Sequence, residues 1–81
     1  MINTRELRVG DWVVYTAPGV KEVGRVKSWA SNVVWVVFNC NKNWDYYEGY
    51  TGQATRPQDL RYATEQEINE VRVANSFIIR R

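Results

Sequence analysis

Six consecutive apolar residues, Val33-Val34-Trp35-Val36-Val37-Phe38, form the strongest β signal in the chain and constrain everything built around them. β-Branched and aromatic residues suit a pleated strand, and the run is far too short to cross a bilayer. Side chains on a strand alternate between two faces. Val34, Val36 and Phe38 therefore point one way, and Val33, Trp35 and Val37 the other. Both faces are apolar, so something must cover each of them.

With 81 residues the chain is one domain, 1–81, since two separate cores would not fit. A fold of this size buries only about 60% of its unfolded surface, which makes a rich core important. Four Trp, five Tyr and two Phe supply one, each able to bury about 150–250 Å². Cys40 is the single cysteine and there is no histidine. That combination offers no disulfide, no zinc site of ordinary type and no Ser-His or Cys-His nucleophile. No glycine-rich phosphate loop occurs, and Asp45 with Glu48 is a carboxylate pair without a cleft in view. A non-enzymatic chain with no cofactor, no metal and no small-molecule substrate is expected. Residues 1–6 hold no apolar stretch of signal-peptide type, so a reducing, cytoplasmic setting is expected. A net charge of +2 permits weak attraction to polyanions without arguing for it.

The chain divides into a β-rich part, up to about Ala63, and a helical tail. Strand signals cover residues 7–15, broken at Gly10-Asp11, then 23–29 and 32–40. Thr16-Ala17-Pro18-Gly19 reads as a turn, with Pro setting φ and Gly accepting a positive one. A long polar and aromatic loop, 41–52, precedes short strands at 53–55 and 61–63, with a tight turn over 56–60 between them. Ordered loops of that length tend to be functional. Thr64-Glu65-Gln66-Glu67 has capping-box spacing, and Ile68, Val71, Asn75 and Ile78 share the face of a helix expected over 64–79. Glutamates early and Arg80 and Arg81 late suit the helix dipole.

Leu7-x-Val9-Gly10-Asp11-x-Val13, Gly24-x-Val26, Val34-x-Val36-x-Phe38 and Pro57-x-x-Leu60 together resemble the SH3-like small barrels of the Tudor and KOW type. The resemblance covers residues 7–63. It implies a mostly β fold, a five-stranded SH3-like barrel with a helix after the last strand, in which Gly-Asp opens the first strand and a Leu after a one-turn helix closes the barrel. Function does not follow from such a fold. Residues 43–52, with 36–40 before them, are also similar to segments of short uncharacterised bacteriophage-encoded proteins. That likeness implies a phage or prophage accessory protein acting in the host cytoplasm, aimed at a host factor.

Three constellations are candidates for contact with a partner. The outer apolar set, Trp12, Val33, Trp35 and Val37, either lies under the C-terminal helix or stays exposed as a docking patch. Trp44, Tyr46, Tyr47 and Tyr50 either fold back to plug the barrel end, anchor an interface, or cage a cation such as methylated lysine. Arg25 and Lys27 should face outward on the second strand, and Arg56 and Arg61 flank the closing turn. These four either form a solvated surface or grip nucleic acid by phosphate contact. The leading expectation is a module that docks onto a protein partner, or a second copy, through Trp12, Trp29, Trp35, Trp44, Tyr46, Tyr47 and Tyr50. Its alternative is a KOW- or Tudor-like nucleic-acid-binding module, using Arg25, Lys27, Arg56 and Arg61 in transcription or defence. No membrane role is expected.

Overall fold

A computed structural model describes residues 2–41 and 43–79, with side chains described through residue 72. The side chains of Asn75 and Ile78, and all of Lys42, Arg80 and Arg81, lie outside the described residues. Among the described residues there are five antiparallel strands: β1 (Trp12–Tyr15), β2 (Glu22–Ala30), β3 (Val33–Val37), β4 (Gln53–Thr55) and β5 (Leu60–Tyr62). One α-helix, α1 (Glu65–Ile79), follows them. The sheet order is β4-β3-β2-β1-β5. Turn chemistry joins β1 to β2 through Pro18 and Gly19, whose φ is +76°, closed by the Val20 amide donating to Ala17 O at 2.9 Å.

The strand register sorts the apolar residues onto two faces. Directly opposed partners share a face, so the pairings Val13↔Gly24, Tyr15↔Leu60, Val26↔Val36 and Trp29↔Val34 define an inner side. There Ile2, Leu7, Val13, Val26, Val34, Val36 and Leu60 form a buried cluster with Tyr15, Trp29 and Phe38 packed against it. Gly24 makes this packing possible. A Cβ at that position would lie 2.6 Å from Val36 Cγ1 and 2.8 Å from both Phe38 Cδ1 and Val37 O. The outer side carries Trp12, Arg25, Trp35 and Val37, through the pairings Trp12↔Arg25 and Arg25↔Val37.

One expectation is corrected here. The barrel does not close, because β4 and β5 are opposite edges of the sheet with no ladder between them. The groups at the turn that joins them are taken by other segments. The 3-10 turn Pro57–Asp59 offers Pro57 O to the Ile2 amide (3.2 Å) and Asp59 O to the Thr16 amide (2.9 Å), and Pro57 has no N–H to give. Of the two outcomes open for the outer apolar set, the described part of the helix covers one portion of that face. Its first turn is pinned at the β5 end of the sheet, where Glu67 pairs with Arg61 (2.7 Å) and Lys21 (3.0 Å). Val71, one turn later, reaches the outer cluster, but Trp35 stays 37% exposed.

Candidate protein-binding surface

What covers the outer face is the loop after β3. The 3-10 segment Trp44–Gly49 folds back onto the sheet and buries Trp44 and Tyr47. They form a second cluster with Val37 and Cys40, flanked by Trp12, Tyr50 and Val71. The two indoles of Trp12 and Trp44 sit 5.0 Å apart at a tilt of 54°.

Arg25 is the fastener of this cover. Its guanidinium lies 4.7 Å from the ring centres of both Trp12 and Tyr47, positions in which the cation meets the negative ring faces. Its Nε donates to Gly10 O (3.0 Å) and its Nη1 to Trp44 O (2.8 Å). Gly10 adopts φ +92°, and a Cβ there would come within 3.1 Å of Arg25 Nη2. Positive φ is cheap only for glycine, and the same residue leaves room for the guanidinium. The Tyr47 hydroxyl donates to Val26 O at 3.0 Å. Burial pushes its pKa up, with the Arg25 charge acting the other way. Lys27 Nζ donates to Tyr50 O at 2.9 Å, and Asn43 Nδ2 to the Tyr50 hydroxyl at 2.8 Å.

The seven aromatics named from sequence therefore divide. Trp44 and Tyr47 are buried, in contact with the sheet's outer face and not in a barrel end; Trp12, Trp29 and Tyr50 are half-buried. Trp35 and Tyr46 are exposed, Tyr46 by 77%. Trp29 turns inward because the β2–β3 register shifts between Val26 and Ser28, an extra residue that puts Trp29 opposite Val34. The four basic residues are all engaged within the chain. Arg25 and Lys27 hold the loop, Arg56 pairs with Asp59 at 3.0 Å, and Arg61 makes two bonds to Glu67.

Trp35 opens onto a shallow groove lined by Lys27, Ser28, Thr51 and Gly52. Its partner across the ladder is Ala54, too small to cover an indole. Ser28, Thr51 and Ala54 carried no signal in the sequence, since only the pairing of β3 with β4 brings them to Trp35. Tyr62, 43% exposed at the end of β5, was likewise not singled out. No family model, no curated protein and no solved structure gives a significant match to this chain.

Proposed function

We propose that this chain is a non-enzymatic binding module that docks onto a protein partner through its uncovered aromatic side chains. The observation that carries the reading is Trp35. Among the outer-face residues it alone is an exposed indole, while the loop and the helix cover the neighbouring Trp12 and Val37. An indole left in water on an otherwise packed face forgoes burial that a partner would supply, and Trp and Tyr are the usual anchors of such contacts. Tyr46, presented at the tip of the folded-back segment, is the second candidate anchor. The strand order, with the single turn Pro57–Asp59 leading into Leu60, supports a kinship with SH3-like small barrels whose sheet here stays open.

The test is affinity purification with the wild-type chain and with Trp35→Ala and Tyr46→Ala, the fold of each variant being checked by circular dichroism. Loss of a specifically enriched protein with either variant supports the reading. Identical partner sets for all three chains, with unchanged circular dichroism, would refute it.

A further inference from the structure

The two edges of the sheet are treated differently. Edge strands offer unpaired backbone groups to any extended chain, and proteins ordinarily blunt them with charge, proline or a covering element. On β5, Arg61 is tied to Glu67 and the chain turns directly into α1. On β4, the sequence is Gln53-Ala54-Thr55, a three-residue strand with neither charge nor proline within it before Arg56-Pro57 ends it, and both Gln53 and Ala54 are exposed. Among the described residues its one strand neighbour is β3.

The surface beside that open edge has a definite chemistry. Ala54 stands opposite Trp35, so a strand added outside β4 would set one side chain beside Ala54, within reach of the indole. Two positions along, on the same face, lies Gly52. A Cβ there would be 3.2 Å from Trp35 Cβ and 3.5 Å from Lys27 Cδ, so the missing side chain leaves open the way to Lys27. The Lys27 ammonium spends one hydrogen on Tyr50 O. Ser28 and Thr51 add two exposed hydroxyls, and no carboxylate lines the groove among the described residues. A cation and two hydroxyls with no acid beside them complement a carboxylate.

We infer that β4 and the Trp35 groove form a strand-addition site for an extended acidic peptide with an aliphatic-x-acidic pattern. Backbone pairing along β4 holds the peptide, its aliphatic side chain lies over Ala54 against Trp35, and its carboxylate reaches Lys27 across Gly52. This deepens the docking reading and rests on it, naming where the partner sits and what it is made of.

The probe is the blocked peptide acetyl-Thr-Val-Thr-Glu-Thr-amide, titrated into isotope-labelled full-length chain and followed by amide chemical shifts. The expected perturbations concentrate on Lys27, Ser28, Trp35, Gly52, Gln53 and Ala54. Replacing the peptide's Glu by Lys should weaken binding at least about tenfold, and methylating its alternate amides should abolish it. Ala54→Glu places a like charge beside the peptide's carboxylate on the exposed edge and should weaken binding by a similar factor, with the remaining spectrum unchanged. Equal binding of the Glu and Lys peptides, perturbations away from β4, or none at all up to several millimolar would overturn the site. So would β4 amides that shift on dilution without peptide, which would make a second copy the occupant. If the peptide fails while Trp35→Ala still loses partners, the strand-addition site falls and the docking module stands; if both fail, both fall.

Discussion

Arg25 ties the parts of the outer face together. Two carbonyls and two aromatic rings meet one guanidinium, and the Gly10 turn, β1, β2 and the folded-back loop are joined through it. Each charged hydrogen bond contributes about 1.5–3 kcal/mol and each ring contact about 0.5–2 kcal/mol, values that overlap and do not sum. Arg25→Ala should therefore destabilise the chain by about 2–4 kcal/mol in urea unfolding. Arg25→Lys should recover little of it, because a single ammonium cannot fork between two carbonyls and stack between two rings. Alternation with Val26 was enough to send Arg25 to the outer face. Its use as an internal fastener was not legible, because the residues that receive it, Gly10 and Trp44, lie 15 and 19 positions away.

Among the elements, β3 and the start of α1 were legible and the loop after β3 was the hardest to read. The capping box is made as its spacing implied, with Thr64 N donating to Glu67 Oε1 (2.9 Å) and Glu67 N to Thr64 Oγ1 (3.2 Å). Local chemistry within four residues decides such a cap. Residues 44–49 had no comparable local signal, and they are ordered by what they land on. Glu67 does more than cap. Hydrogen bonds from Arg61, then from the Thr64 amide and Lys21, hold its pKa well below the ordinary glutamate range. In the unfolded chain it protonates at its ordinary value, so below that range the unfolded state binds the extra proton and stability falls as the solution is acidified. Glu67→Gln should lower the melting temperature at neutral pH. It should also flatten the loss of stability below the ordinary glutamate range, measured by thermal melts from neutral to strongly acidic buffer.

The molecule as a whole is a single sheet with a packed cluster on each side, sharing the same strands. The period-2 pattern of β3 made the two apolar faces predictable, but not that Trp44 and Tyr47 would cover the outer one. Closure of the sheet was not, since it depends on which backbone groups the 57–59 turn gives away. One sheet serving two clusters should melt as one unit. Gly24→Ala forces a methyl against Val36 and Phe38 on the inner side and should cost about 1–3 kcal/mol. Indole fluorescence read in a Trp29→Phe background, where the remaining indoles Trp12, Trp35 and Trp44 all lie on the other side, should shift its midpoint together with far-ultraviolet circular dichroism. Separate midpoints would show that the two sides come apart independently.

The irregularity in β2 bears on how this scaffold could be shortened. Val26 faces Val36 and Ser28 faces Trp35, so Lys27 is the surplus residue between them. A chain lacking only Lys27 would run a regular ladder with Trp29 still meeting Val34, whereas removal of most single strand residues inverts everything downstream. Such a deletion variant should keep its strand alignment, seen as preserved cross-strand nuclear Overhauser effects between Trp29 and Val34. Tyr50, deprived of its tether, should exchange its neighbouring amides with solvent faster. Frame and clasp would then be separable by one codon.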